Sequence, residues 1–326
     1  MKKIKTIGVL TSGGDAPGMN AAIRAVVRTA IFHRRNVIGI QCGYTGLLKN
    51  LFVPLESHSV SQKIATGGTF LKSTRCPDFQ LPKARAVAYK HLKEHKIDAL
   101  IVIGGDGSFR GAETIGKETN IPVVGIPGTI DNDIYGTDYT IGFDTAVNTA
   151  VQAVDKLRDT ADSHNMVFFV EVMGRDAGFI ALNTSISSGA EATLIPEVPT
   201  NIDKLCAYLE MERRSNKTSG IVIVAEGEDQ GSAAEIAAKV KERLPKYETR
   251  VTTLGHIQRG GAPTANDRIL ASMLGHDAVV ALLEGKTGVM VGMVNQKTVY
   301  TPFHEACSRP SEINKRMVDI AYILSL

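Results

Sequence analysis

Short β-branched, apolar runs alternate with stretches of helical periodicity along nearly the whole chain, and few architectures accept that alternation. The runs are Ile7-Gly8-Val9-Leu10, Val37-Ile38-Gly39-Ile40, Ala99-Leu100-Ile101-Val102-Ile103 and Val123-Val124-Gly125-Ile126, followed later by Val167-Phe168-Phe169-Val170, Ile221-Val222-Ile223-Val224 and Val289-Met290-Val291. Without polar alternation, such runs fit strands covered on both faces, as parallel sheets require. Helical patterns lie between them at Asn20 to Ala30, Ala84 to His95, Thr145 to Asp159 and Ile269 to Leu283. Strand–helix alternation of this kind predicts doubly wound α/β architecture, with ligands at the carboxyl ends of the strands.

Composition excludes several classes. The chain has 326 residues, 43% hydrophobic and 22% charged, with a net charge of +3. That describes an ordinary folded protein with room for one large or two medium domains, and gives no reason to expect nucleic acid or a membrane as the main partner. Cys42, Cys76, Cys206 and Cys307 are scattered without a CxxC pair, so reduced thiols are expected rather than a disulfide framework or a zinc site. No run approaches the roughly 20 apolar residues a spanning helix needs, and the basic start leads into a turn at Gly13-Gly14-Asp15 rather than a signal segment. The expected setting is cytoplasmic.

Three loops after the apolar runs carry the chemistry. The first, Thr11-Ser12-Gly13-Gly14-Asp15-Ala16-Pro17-Gly18-Met19-Asn20, opens a helix, where glycines and free N–H groups favour a phosphate. A tight strand-to-helix turn would look the same. In the second, Ile103-Gly104-Gly105-Asp106-Gly107-Ser108, an aspartate sits among glycines that leave room for a polyanion. Magnesium prefers one or two carboxylates plus phosphate oxygens, so Asp106 is a candidate ligand. The plainer alternative makes Asp106 a helix N-cap. Such a loop also occurs in NAD kinases and lipid kinases. The third loop, Pro127-Gly128-Thr129-Ile130-Asp131-Asn132-Asp133, holds two carboxylates two residues apart. One can act as general base on a hydroxyl while the other helps hold magnesium, against the reading of a self-satisfied Asp turn. Arg75, Arg175, Arg250, His256 and Arg259 are the candidate cations; any one arginine is most often a solvated surface charge, and placement beside glycines after apolar runs favours Arg175 and Arg259. Phosphoryl transfer needs such cations, and residue spacing by itself reaches no further than a phosphoryl transferase.

These segments, together with Gly136 to Phe143, Val170-Glu171-Val172-Met173-Gly174-Arg175 and Leu254-Gly255-His256-Ile257-Gln258-Arg259-Gly260-Gly261, resemble bacterial ATP-dependent 6-phosphofructokinases of family A, almost end to end and in the family's order. The resemblance implies two doubly wound, three-layer α/β domains assembled from discontinuous segments: 1–141 plus 257–307, holding ATP and magnesium, and 142–256 plus 308–326, holding fructose 6-phosphate. It implies a homotetramer with active sites completed across subunits. Asp131 would be the base on the sugar 1-hydroxyl, with Asp106 and Asp133 holding Mg2+. Gly14, Arg75, Cys76, Gly105, Asp106, Gly107 and Ser108 would surround ATP, and Arg75, Arg175 and Thr129 would serve the transfer. The sugar phosphate would meet Thr129, Ile130, Asp131, Met166, Met173, Gly174, Arg175, Glu226, Arg250, His256, Ile257, Gln258 and Arg259. Pyrophosphate-using relatives carry Asp and Lys where this chain has Gly107 and Gly128, so the expected donor is ATP. A pyrophosphate-dependent enzyme or a catalytically weak regulatory paralogue is the alternative.

Two departures from the family pattern carry expectations. Met166 stands where the family has an arginine that reaches a neighbouring subunit's sugar 6-phosphate. A charged hydrogen bond contributes roughly 1.5–3 kcal/mol, so altered sugar-phosphate affinity or cooperativity is expected; Met166→Arg should lower KM for fructose 6-phosphate in steady-state kinetics. In the family, residues matching Arg24, Arg28, Arg158, Gly189, Glu191 and Lys217 bind ADP or phosphoenolpyruvate, yet Ser57 and Ser215 replace an arginine and a lysine there, and a solvated basic face is the alternative for Arg24 and Arg28 at i,i+4. Weakened or absent allostery is expected, read as little rate response to ADP. Lys72 stands near Arg75 where the family more often has glycine; it adds charge near the nucleotide or points to water.

Overall fold

The computed structural model describes residues 4–214 and 219–325. In chain order its elements are β1 (Thr6–Thr11), α1 (Met19–Phe32), β2 (Asn36–Ile40), α2 (Gly43–Lys49), β3 (Phe52–Leu55), α3 (Pro82–Glu94), β4 (Ala99–Gly104), α4 (Asp106–Thr119), β5 (Val123–Pro127), α5 (Phe143–His164), β6 (Met166–Val172) and α6 (Phe179–Ser188). They continue with β7 (Ala192–Leu194), α7 (Ile202–Arg214), β8 (Gly220–Ala225), α8 (Ala233–Arg243), β9 (Glu248–Thr253), α9 (Ala265–Leu283), β10 (Val289–Val294), β11 (Lys297–Pro302), α10 (Phe303–Ser308) and α11 (Lys315–Leu324).

The chain divides into two compact units. The first comprises 1–130, 134–145 and 259–311; the second comprises 131–133, 146–258 and 312–326.

Among the described residues the first unit is built on a seven-stranded sheet of order β11-β10-β5-β4-β1-β2-β3. β1, β2, β4, β5 and β10 run parallel, and β3 and β11 join the edges antiparallel. Because β1 leads to β2 on one side and has β4 on the other, the strand order reverses between β1 and β4. A crevice at the carboxyl end of such a switch point is where ligands bind in open α/β sheets. β1 and β4 are buried at every residue, as their unbroken apolar sequence requires. A core of Leu10, Ile40, Leu47, Leu92, Leu100, Val102, Phe109, Val123 and Phe303 packs the sheet. Each fully buried side chain of this size contributes about 1.5–3 kcal/mol.

The second unit has a four-stranded parallel sheet, order β7-β8-β6-β9. It reverses at β6, so the turns following β6, β8 and β9 share one end of the sheet. Its core joins Val167, Phe169, Val222 and Val224 to Leu205, Leu209, Ile236 and Val240 from α7 and α8. The apolar runs named above all fall within strands. The strands β3, β7, β9 and β11 have no comparable run. β9, with sequence ETRVTT, has no fully buried residue, which is why hydrophobic patterning misses it.

Candidate active site

In the first unit three loops emerge side by side from β1, β4 and β5. The Ser12 N–H donates to the Ile103 carbonyl at 2.9 Å, and the Gly128 N–H donates to the Gly104 carbonyl at 3.0 Å. The residues predicted to cradle a polyanion are thus joined by backbone hydrogen bonds at the switch point. The 66–76 segment is tied to the first of these loops. Asn20 Nδ2 donates to the carbonyls of Thr66 and Gly67, its Oδ1 accepts from Phe70 N–H, and Ser73 Oγ donates to the Gly13 carbonyl. Arg75 is held on this segment with an exposed side chain, and Cys76 follows it, half-buried.

Asp106 is the first residue of α4, and its N-cap is Gly105, which makes no side-chain cap bond. The reading of Asp106 as an N-cap is therefore corrected: its carboxylate lies in the first helical turn, where the helix dipole favours a negative charge. Arg110, one turn on, lies 3.5 Å from it. A Cβ built at Gly105 or Gly107 would meet nothing within 4 Å, so the space beside the aspartate is open to a ligand. Ser108 is buried and its carbonyl accepts from the Tyr44 hydroxyl at 2.5 Å. Burial pushes the Tyr44 phenol far above its ordinary range, which keeps it a neutral donor. The Cys307 thiol, 3.4 Å from the Asp106 carbonyl, is pushed up to about 11 by burial, and so stays an unreactive thiol.

The third loop is buried: Thr129, Ile130, Asp131 and Asn132 are all sheltered from solvent, with Asp131 2% exposed. Thr140 Oγ1 donates to the Thr129 carbonyl at 2.7 Å. Asn132 takes a left-handed φ of 55°, a conformation asparagine tolerates better than most side chains. Behind this loop, Asp267 of α9 is almost fully buried. Its carboxylate accepts from Gly142 N–H at 2.8 Å, Thr145 N–H at 2.8 Å and Thr145 Oγ1 at 2.5 Å. Burial lifts its pKa and the three donors pull it back, with burial prevailing. Sequence reasoning missed Asp267, since its partners lie more than a hundred residues away in the chain.

Arg259 belongs with the first loop. Its Nη1 donates to the Asp15 carbonyl at 3.2 Å, and a Cβ at Gly14 would stand 2.6 Å from the same nitrogen. A side chain at Gly14 would require the Arg259 guanidinium to move aside.

In the second unit, the turns after β6 and β8 pack together. Arg175 N–H donates to Glu226 Oε2 at 3.1 Å, and Glu226 N–H donates to the Val172 carbonyl at 3.0 Å. Gly174 and Arg175 have φ of 150° and 55°. A Cβ at Gly227 would lie 2.3 Å from the Arg175 carbonyl, so the two turns touch through backbone. Met173, Gly174, Arg175 and Glu226 are thus one cluster. Arg250 pairs with Glu248 at 2.6 Å on β9, level with Phe168. His256 and Ile257 lie in the short 3-10 turn Gly255–Arg259, and Gln258 is fully buried with its Nε2 on the Gly255 carbonyl. Met166 opens the seven-residue β6 and Met173 follows its end, so roughly 20 Å of strand separates them. Met166 is not brought together with the Arg175 cluster of its own chain.

Of the effector residues, Arg24 and Arg28 lie on α1, where burial and then Arg28 lower the Arg24 pKa. Arg158 binds Glu191 Oε1 at 3.1 Å and the carbonyls of Ser188 and Gly189. Lys217 and Ser215 lie outside the described residues. The Lys72 side chain is exposed and its φ is 61°. No cluster of three or more His, Cys, Asp or Glu is set to hold a metal, and no helix is long and apolar enough to cross a membrane, among the described residues.

Comparison with known proteins gives one consistent relation. The family model described as phosphofructokinase matches residues 6–282. The chain is 52% identical to ATP-dependent 6-phosphofructokinase 2 of Bacteroides thetaiotaomicron over 326 residues, 100% of both chains. It is 54% identical to ATP-dependent 6-phosphofructokinase 1 of Thermus thermophilus, covering 99% of this chain and 100% of that one. Among solved structures, Pichia pastoris phosphofructokinase in the T-state superposes with a TM-score of 0.89 at 37% identity, covering 100% of this chain and 37% of that longer one.

Proposed function

The chain belongs to the phosphofructokinase family, and on that premise we propose that it transfers the γ-phosphoryl group of ATP to the 1-hydroxyl of D-fructose 6-phosphate, giving ADP and fructose 1,6-bisphosphate, a step of glycolysis. The observation that carries this is the joining of the β1, β4 and β5 loops at the switch point, with open space beside Gly105 and Gly107, in a chain half identical along its length to ATP-dependent 6-phosphofructokinases.

Asp131 takes the proton of the sugar 1-hydroxyl as that oxygen attacks the γ-phosphorus and the bond to ADP breaks. Burial of the loop keeps its backbone in one geometry, so the base is presented without reorganisation. Gly14, Cys76 and Gly105 to Ser108 line the nucleotide. The cations Arg75 and Arg175 meet charge that develops on the transferred group. Glu226, Arg250, His256 and Arg259 serve the sugar phosphate. The residues present fit magnesium: Asp106 offers a carboxylate in the first turn of α4, with open space at the neighbouring Gly105 and Gly107, and this ion takes one or two carboxylates together with phosphate oxygens. Asp106 and Asp133 would hold it, and once bound it neutralises the triphosphate charge.

The donor follows from space. Beside Gly107 nothing stands within 4 Å, while a Cβ at Gly128 would press on methyl groups of Ile103 and Met19 at 3.1 Å. The lysine that pyrophosphate-using relatives carry at that position would need both neighbours to shift. A coupled assay with fructose 6-phosphate and either ATP or pyrophosphate tests the reading. Turnover with ATP supports it; turnover with pyrophosphate alone, or with neither, overturns it. The expectations stated for Met166→Arg and for ADP rest on the same assay. A homotetramer in a cytoplasmic setting completes the proposal.

A further inference from the structure

The segment that carries Arg75 has little apolar burial to hold it. Between Ser61 and Cys76 the chain has neither helix nor strand, and only Leu71 of these residues is buried. A stretch of this length without regular structure keeps one position only where side chains or packing fasten it. Thr11, the last residue of β1, donates through Oγ1 to the Lys72 carbonyl at 3.0 Å and lies 2.9 Å from Thr69 Oγ1. Ser73 Oγ donates to the Gly13 carbonyl at 2.6 Å, and the Cys42 N–H donates to the Leu71 carbonyl at 2.8 Å.

The densest fastening is a single side chain. Asn20, in the first turn of α1, is 2% exposed. Its Nδ2 donates to the Thr66 carbonyl at 3.2 Å, to Thr66 Oγ1 at 2.9 Å and to the Gly67 carbonyl at 3.0 Å. Its Oδ1 accepts from the Phe70 N–H at 2.8 Å. Carbonyls on one side and an N–H on the other fix the orientation of the amide, and only an amide offers both donor and acceptor at this reach. Aspartate would keep the acceptor for Phe70 but turn a second oxygen toward the two carbonyls. On its other side Gly67 meets backbone, since a Cβ there would stand 2.2 Å from the Gly261 carbonyl oxygen. The start of the segment is thus clamped between α1 and the turn that follows Arg259.

We propose that Asn20 is a positioning residue for the nucleotide: by clamping 66–70 it sets where Arg75 and Cys76 stand against the phosphates. Its polar atoms are engaged by the segment, so it acts through Arg75 and not on ATP. Without the clamp the segment keeps few buried contacts, and such regions open locally. A displacement of about 1 Å at a group that meets the transferred phosphoryl can cost up to about 10²-fold in rate.

The inference rests on the proposed nucleotide site, and its tests separate the two. KM for ATP and kcat are measured for the wild type, Asn20→Asp, Asn20→Ala and Thr66→Val, with the folded fraction of each read by circular dichroism. Thr66 is exposed, so its change does not threaten the fold; it deletes one acceptor of Asn20 and the hydroxyl bond to the Lys63 carbonyl. KM for ATP is expected to rise about tenfold or more in both Asn20 variants and about twofold to threefold in Thr66→Val. A purely structural role would lower Tm and the amount of active enzyme but leave KM for ATP unchanged, and that result overturns the proposal. Adding Asn20→Asp to Arg75→Ala should cost little further kcat/KM for ATP, because both changes act through one side chain; losses that multiply in full overturn it. Limited trypsin digestion mapped by mass spectrometry reads the clamp without turnover. Cleavage after Lys63, Lys72 and Arg75 should be about tenfold faster or more in Asn20→Asp than in wild type, and equal rates overturn the proposal. A wild type that turns over no ATP with fructose 6-phosphate would instead overturn the functional reading, and the digestion would still decide whether Asn20 holds the segment.

Discussion

Replacing Asp131 with asparagine is expected to lower kcat by about 10²–10⁴-fold, the usual worth of a positioned general base. Asparagine matches the volume of aspartate, and the loop is held by contacts that the change does not touch, including the Thr140 hydroxyl on the Thr129 carbonyl. KM for fructose 6-phosphate should therefore stay within about threefold, since an interaction made only in the transition state is lost. Steady-state kinetics with ATP and fructose 6-phosphate measure both constants. A kcat within about twofold of wild type would remove Asp131 from the role of base.

The largest effect on stability is expected at Asp267. Alanine there removes the acceptor for two buried N–H groups, those of Gly142 and Thr145, and for the Thr145 hydroxyl. A buried donor left without a partner costs about 1–3 kcal/mol, so a loss on the order of 3–5 kcal/mol is expected. At about 2–4 °C per kcal/mol this lowers Tm by roughly 6–20 °C. Asparagine keeps one oxygen acceptor but turns an amide donor toward the remaining donors, so Asp267→Asn should fall between wild type and alanine. Thermal unfolding followed by circular dichroism measures the series. A Tm for Asp267→Ala within about 2 °C of wild type would show that these bonds do not hold the 140–145 turn. Activity should fall with stability, because that turn carries Thr140, whose hydroxyl supports the third loop.

What could be read from the sequence depended on how local the physical cause was. The strands β1, β4, β5, β6 and β8 were legible because burial on both faces demands continuous apolar runs. The edge strands β3 and β11, and the exposed β9, satisfy no such demand; their pairing depends on partners elsewhere in the chain. The glycine-rich loops were legible as turns from strand to helix. Other causes at the same positions were not: the Arg259 guanidinium against Gly14 and the backbone contact of Gly227 with Arg175 both arise from distant residues. Asp106 offered two local readings, and the helix start at Asp106 itself, with Gly105 as cap, decides against capping.

The position of the transferred phosphoryl group tests the account most directly. Incubation with ATP labelled in its γ-phosphoryl group and with fructose 6-phosphate should place the label on the C1 oxygen of fructose 1,6-bisphosphate. Label recovered only as inorganic phosphate, or on any other oxygen, would contradict the assignment of this chain as a kinase acting on the sugar 1-hydroxyl.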